Sequence, residues 1–297
     1  MSAQLLDGKA VAKRMHTDIK KDVAALQAES GVTPGLATVL VGDDDASRMY
    51  VKMKHNRCAD VGIESFGHEI PPTASQEEVE KVIDDLNADP RVHGILVQLP
   101  LPDHLDTEPI LDRIAVHKDV DGLHPLNIGA LAIKGRMPMF TPATPTGCLV
   151  LLREAELLID SFSIEGANAV VLGRSNLVGM PMALLLVENN ATVTVAHSRT
   201  RDLQAVLADA DIVVSAVGRP HMVPGEWIKH GAVVIDVATV KVDDPSAKKG
   251  YRWVGDVEPE EAMKRAAAMT PVPGGVGPMT VAMLLQNTLN AARRYHA

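Results

Sequence analysis

Short apolar runs alternate with helix-spaced stretches along most of this chain, and that order narrows its fold more than any single motif does. In the first half, the spacing predicts a helix over residues 9–30 ended by Gly31, then a short strand, LATVLVG, at 36–42. Helical spacing returns at 46–62, a weaker strand, ESFGHEI, follows at 64–70, and another helix occupies 75–88. Ser75 and Glu78 open that helix three residues apart, the arrangement of a capping box. HGILVQLPLP, residues 93–102, reads as a strand that ends in a proline-rich turn. Repeated β-α-β order argues for a parallel sheet with helices on its faces.

The pattern stops across 119–147, DVDGLHPLNIGALAIKGRMPMFTPATPTG, which is rich in Gly, Pro and Thr and holds no sustained period. We read it as an interdomain connection with a short helix near 126–132. The alternation then restarts: strand 168–173, helix 177–189, strand 191–196, helix 202–209, strands 211–218 and 232–238. That second run is a doubly wound, nucleotide-binding type of architecture. A last helix spans 279–294 with Pro278 at its start. The expected fold class is therefore α/β with parallel sheets, and 297 residues suit two domains.

Composition removes several function classes. A net charge of −9 without a cluster of Lys and Arg argues against nucleic acid and anionic membrane as partners. No apolar run reaches the length of a membrane span, and the first residues lack the apolar core of a secretory signal. Cys58 and Cys148 form no CxxC pair, which disfavours a zinc cluster or a disulfide scaffold and fits a reducing cytoplasm. No metal site is expected.

Within 46–62, Ser47, Tyr50 and Lys54 fall at 0°, about 300° and about 340° around a helix, and Cys58 and Val61 continue the stripe. The stripe is polar at its start and apolar at its end, as for a core-facing helix whose first turns open into a cleft. A snorkelling lysine beside a packed tyrosine fits the same spacing. In a cleft, desolvation pulls a lysine toward neutrality and suits it to proton transfer. Sites in open α/β sheets lie beyond the carboxyl ends of the strands. Gln98 would arrive there at the end of its strand, and Asp121 in an irregular loop. Taken singly, Gln98 also reads as a loop-capping amide and Asp121 as a turn former before Gly122.

After the strand at 168–173 the chain reads RSNLVGMP. Gly173, Arg174, Ser175 and Gly179 depart from G-x-G-x-x-G, because Ser replaces the second glycine and the last is one residue late. The context is still a buried strand entering a helix whose amino end can hold a phosphate. The next strand ends in HSRT, where an NAD site would usually place an acid on the ribose hydroxyl. Ser198 and Arg199, with Arg174, instead suit a 2′-phosphate, which favours NADP. TPVPGGVGPMT, 270–280, packs three prolines and three glycines ahead of the last helix, a composition that lets a ligand approach the backbone closely.

SRMYVKMK, GILVQLPLP, KDVDGLHPLNIGAL, VVLGRSNLVGMP, VTVAHSRT, VIDV, GDV and TPVPGGVGPMT occur in the order seen in the bifunctional methylenetetrahydrofolate dehydrogenase/methenyltetrahydrofolate cyclohydrolase family, which the chain resembles over nearly its whole length. The resemblance implies an N-terminal catalytic α/β domain, 1–140 plus 279–297, and a Rossmann-like NADP-binding domain, 141–278, with the active site in the cleft between them. It implies a homodimer acting on tetrahydrofolate derivatives in one-carbon metabolism and purine biosynthesis. Lys54 would be the catalytic lysine, Gln98 its orienting partner, Tyr50 the folate platform, Ser47 a lining residue and Asp121 the pterin contact. Pro273, Gly274, Gly275 and Val276 would wall the folate. Gly173, Arg174 and Ser175 would hold the dinucleotide, with Ser198 near the adenosine phosphate. DVATV, 236–240, departs from the family's usual DVGIN: Thr239 stands at a nicotinamide contact, and Ala238 replaces a glycine. Ala143 and Thr146 stand where Cys and Lys are usual, with only local packing expected to change. The alternatives are a dehydrogenase without the hydrolase, a Rossmann dehydrogenase of another substrate class, and a folate- or nucleotide-binding protein that has lost its chemistry.

Overall fold

The computed structural model describes residues 2–295. In chain order, β1 is Gln4–Leu5, α1 Gly8–Ser30, β2 Gly35–Val41, α2 Asp45–Val61, β3 Glu64–Ile70, α3 Gln76–Ala88 and β4 Gly94–Val97. Two short helices follow, α4 (Thr107–Asp112) and α5 (Pro125–Leu131), and then a longer one, α6 (Ala143–Leu158). The second run comprises β5 (Asn168–Leu172), α7 (Gly179–Glu188), β6 (Thr192–Ala196), α8 (Leu203–Ala208), β7 (Ile212–Ser215) and β8 (Val233–Asp236). It closes with β9 (Val240–Asp243), β10 (Tyr251–Val254), α9 (Pro259–Arg265), β11 (Ala268–Met269) and α10 (Val276–Tyr295). The chain divides into two compact units, one of residues 13–143 with 281–297, the other of residues 1–12 with 144–280.

In the unit of residues 13–143 and 281–297, three parallel strands run in the order β3-β2-β4. The central strand β2 is buried along its whole length. Its side chains alternate between two apolar layers, as strand geometry requires. Leu36 packs with Ile19 and Val23 of α1, Cys58 and Val61 of α2, and Leu284 and Leu289 of α10. Ala37, Val39 and Val41 pack with Val79, Ile83 and Leu86 of α3 and Ile110 of α4. At the start of α3, Ser75 Oγ accepts from Glu78 N at 3.2 Å and Glu78 Oε2 accepts from Ser75 N at 2.8 Å, so the capping box forms. A cap is worth about 1 kcal/mol, against roughly 2 kcal/mol for one fully buried Ile. The cap sets where α3 begins, and its buried face holds it in place.

In the unit of residues 1–12 and 144–280, six parallel strands take the order β1-β11-β8-β7-β5-β6, and β9 and β10 form a separate antiparallel hairpin. The chain leaves β5 toward β6 on one side and then returns to β7 on the other. This places a topological switch point beside β5, where α/β sheets bind ligands.

Several expectations need correction. Residues 1–140 do not all fall in one unit, because Gln4 and Leu5 pair with Ala268 and Met269 and carry the N-terminal arm into the six-stranded sheet. The aperiodic stretch ending at 147 contains the start of α6, whose buried Cys148, Leu151, Leu152 and Ala155 repeat at helical spacing. Pro145 and Gly147 mask that start, although a proline is tolerated in a first turn. The strand expected at 93–102 ends at Val97, and the last helix begins at Val276, which puts Pro278 inside its first turn. The hairpin, α4, α9 and the two-residue strands were not expected. Segments so short carry no readable period.

Candidate active site

Helix α2 carries the polar stripe, and both its ends are fixed locally. Asp44 caps it by accepting from Ser47 N at 2.7 Å, and Gly62 ends it in the left-handed region at φ 85°. Ser47 is buried, Lys54 half-buried, and Cys58 and Val61 fully buried, so these four face inward as the spacing predicts, whereas Tyr50 of the same stripe does not. Tyr50 is 38% exposed and Lys52 exposed. Lys54 Nζ donates to Gln98 Oε1 at 2.9 Å. The Gln98 amide is held in turn, since Nε2 donates to Leu99 O at 2.7 Å and the backbone N to Val39 O at 2.8 Å. Lys54 is thus not a snorkelling surface lysine.

Burial pulls the Lys54 ammonium below the ordinary lysine range, with the Asp121 carboxylate opposing the shift. Burial likewise pushes Asp121 up to about 6, with the Lys54 charge opposing. Both shifts favour the neutral forms, so a proton is held less tightly on the amine than in water.

The loop bearing Asp121 is tied from several sides. Buried Asp119 accepts from Leu123 N, His124 N and Asn127 Nδ2, the last at 2.7 Å. Asn287 of α10 donates to Val120 O at 2.9 Å and Thr141 O at 3.2 Å, and Asp121 O accepts from Ala143 N at 3.2 Å. Gly122 lies at φ 74°, and a Cβ there would come within 2.5 Å of Thr141 C. Sequence reasoning missed Asp119, Asn127 and Asn287. Only the doubled acid in KDVDG hinted at the first of them. Lys118 of that motif is buried, donating to Leu86 O and Asp89 O, and it braces the loop's start.

At the switch point, Gly173 follows β5 at φ 117°, and a Cβ on it would lie 2.5 Å from Ala216 O, just after β7. A Cβ on Gly179 would lie 2.3 Å from Gly173 O. Ser175 Oγ accepts from Val178 N at 3.2 Å and Gly179 N at 3.4 Å, closing the turn into α7. Exposed Arg174 and Ser175 follow β5, and exposed Ser198 and Arg199 follow its neighbour β6. The turn is shaped as a bare-backbone cradle with basic groups and no carboxylate at the ends of two adjacent strands, which fits a phosphorylated dinucleotide. Exposed Thr239 lies past β8. Ala238 is not among the non-glycine residues of positive φ, so the loop follows a path open to alanine.

The acids of VIDV and GDV tie strand ends together. Asp236 accepts from Asp256 N at 3.0 Å and Val257 N at 2.8 Å, and Asp256 accepts from Ser215 Oγ, Val217 N and Arg219 N. Burial pushes Asp236 up to about 7 despite its backbone donors. In TPVPGGVGPMT the close approach is made by the chain itself. A Cβ on Gly8 would lie 1.8 Å from Gly275 O, and Lys9 N donates to Gly274 O at 3.1 Å. Gly275 and Val276 are buried, Gly274 half-buried and Pro273 exposed. Among the described residues no group of His, Cys, Asp and Glu has the makings of a metal site.

Residues 6–121 match the model of the tetrahydrofolate dehydrogenase/cyclohydrolase catalytic domain, and residues 142–296 the model of its NAD(P)-binding domain. The chain belongs to the tetrahydrofolate dehydrogenase/cyclohydrolase family. It is 54% identical over 294 residues to the chloroplastic bifunctional protein FolD 4 of Arabidopsis thaliana, covering 99% of this chain and 80% of that protein. Against bifunctional protein FolD of Moorella thermoacetica the identity is 52%, covering 99% and 100%. The Trypanosoma brucei methylenetetrahydrofolate dehydrogenase-cyclohydrolase, solved with NADP and an inhibitor, superposes with a TM-score of 0.94 at 45% identity, covering 99% of this chain and 98% of that one. Shikimate dehydrogenase of Aquifex aeolicus, at 16% identity and a TM-score of 0.51, shares only the fold. In this tetrahydrofolate dehydrogenase/cyclohydrolase chain, the catalytic-domain match holds Ser47, Tyr50, Lys54, Gln98 and Asp121, and the NAD(P)-binding match holds the turn at Gly173.

Proposed function

We propose that the protein oxidises 5,10-methylenetetrahydrofolate to the 5,10-methenyl cation with NADP and then hydrolyses that cation to 10-formyltetrahydrofolate. The observation that carries the reading is the half-buried Lys54 amine, held at 2.9 Å by Gln98 and destabilised as a cation. Bound NADP would supply the hydride acceptor for the first reaction. Gly173, Arg174 and Ser175 would hold its phosphates, Ser198 and Arg199 its 2′-phosphate, and the Thr239 backbone its far end. The absence of an acid after β6 supports NADP over NAD.

The second reaction needs proton traffic. Neutral Lys54 accepts a proton from water as its oxygen bonds to the methenyl carbon. The bond from that carbon to N5 then breaks, and Lys54 returns the proton to N5. The hydroxyl proton of the adduct departs as the formyl C=O forms, so one water is consumed and one proton released. Gln98 keeps the amine aimed throughout. Tyr50 offers the pterin a flat face, Ser47 lines the site, and Asp121 accepts from the pterin's N–H groups. Exposed Pro273 and half-buried Gly274 would offer surface for a folate wall, backed by buried Gly275 and Val276.

We further propose a homodimer in the cytoplasm, with its product drawn on by purine biosynthesis. The two free, buried cysteines suit a reducing compartment. No helix among the described residues is long and apolar enough to cross a membrane. Mixing the protein with 5,10-methylenetetrahydrofolate and NADP tests the function. Reduced nicotinamide and 10-formyltetrahydrofolate should form in equal amounts. Binding of both ligands without reduced nicotinamide would overturn the reading in favour of a binding protein, and stalled methenyl product would leave a dehydrogenase alone.

A further inference from the structure

Thr38 is the one polar side chain on β2, GLATVLV, and it is fully buried. Alternation along the strand turns it away from the Ala37 and Val39 layer. Its hydroxyl is hydrogen-bonded to His55 Nε2 at 2.6 Å, and His55 is the residue after Lys54 on α2. The imidazole also occupies a slot over β3. Gly67 lies opposite Thr38 in the sheet, and a Cβ on Gly67 would come within 2.8 Å of His55 Cε1. On the other side of Thr38, the next residue, Val39, accepts from Gln98 N at 2.8 Å through its carbonyl. The two partners of the Lys54–Gln98 bond are therefore each referenced to consecutive residues of one buried strand.

We propose that the Thr38–His55 pair is a positioning device for the hydrolase, acting through α2 to hold the Lys54 amine within reach of Gln98. The inference rests on the reading of Lys54 as the proton carrier. Thr38 is fully buried, so it can act only through His55 and α2. Burial holds His55 below the ordinary histidine range, opposed by Glu69 of β3 and reinforced by the Lys54 charge, which favours the neutral ring. A neutral ring needs a partner for Nε2, and Thr38 provides it. Without the hydroxyl, Nε2 of this half-buried ring loses its partner on the strand, and nothing then ties the ring to its place over Gly67. Displacement of a catalytic group by about 1 Å costs on the order of 100-fold in rate, so even a partial shift of Lys54 is measurable.

The test compares Thr38→Val, Thr38→Ser and His55→Phe in the full protein. Valine keeps the shape of threonine, and phenylalanine fills the slot without the bond. Thr38→Val is expected to lower hydrolase kcat about tenfold, with KM within about twofold and hydride transfer changed less than about twofold. Its hydrolase pH profile should shift on the acid limb by about half a unit or more, because the surroundings of the Lys54 amine change. Thr38→Ser should restore rate and profile. His55→Phe should match Thr38→Val, and the double variant should be no worse than either. A Thr38→Val or His55→Phe protein with wild-type hydrolase kcat and pH profile overturns the inference, as do additive losses in the double variant. If only one single variant folds, its kcat and pH profile decide the matter alone. Hydrolysis surviving in Lys54→Met would instead overturn the role of Lys54 itself, so the two failures are distinguishable.

Discussion

Lys54 is both the chemical centre of the account and a burden on stability. Its native pKa lies below the ordinary 10.5, so between the two values the unfolded chain binds the proton more readily. The native protein therefore gains stability from this group as pH rises through that window. Lys54→Met should melt higher than wild type below the window, with the difference shrinking toward pH 10.5 in a thermal-denaturation series. Asp121 has the opposite sign: raised from 3.8 to about 6, it loses stability as pH climbs between those values, and Asp121→Asn should flatten that slope. Arg174→Ala should raise KM for NADP roughly tenfold or more while moving KM for NAD far less, as for a guanidinium that reads a phosphate. Equal shifts would remove Arg174 from that role. The stripe of Ser47, Lys54, Cys58 and Val61 was legible because helical spacing alone turns it inward. Thr38, His55, Asn127 and Asn287 were not, because their partners lie on other elements and one polar residue in an apolar run leaves no period.

Elements long enough to show an apolar run or a period were legible, and the short ones were not, α9 being missed despite its Glu258 cap and Pro259. Ser75 and Glu78 announce α3, and Ser75→Ala should cost about 1 kcal/mol in urea unfolding. β1 and β11 exist because each completes a ladder, which two residues cannot signal. The glycines of TPVPGGVGPMT suggested room for a ligand, and the closest backbone approach there is made by Gly8, at the start of α1, whose missing Cβ admits the Gly275 carbonyl. Gly8→Ala tests this directly. Its Cβ would meet Gly275 O at 1.8 Å, so a loss of about 1–3 kcal/mol or more is expected. An unchanged melting temperature would contradict that packing.

Across the whole molecule, the twofold run of alternating strands and helices forecast two parallel sheets, and both are present. What it could not forecast is where the chain changes unit, because α1 and α10 continue unbroken through the boundaries at 12–13 and 280–281. On the proposed function the units divide the labour: one would present a basic, glycine-lined turn to a dinucleotide, and the other an amine for proton transfer. Lys54→Met, given 5,10-methylenetetrahydrofolate and NADP, tests this division most directly. Following reduced nicotinamide and methenyl absorbance together, the account predicts that hydride transfer persists while methenyl product accumulates, its hydrolysis slowed about 100- to 10,000-fold. Hydrolysis at the wild-type rate, or equal and complete loss of both activities with folate still bound, would contradict it.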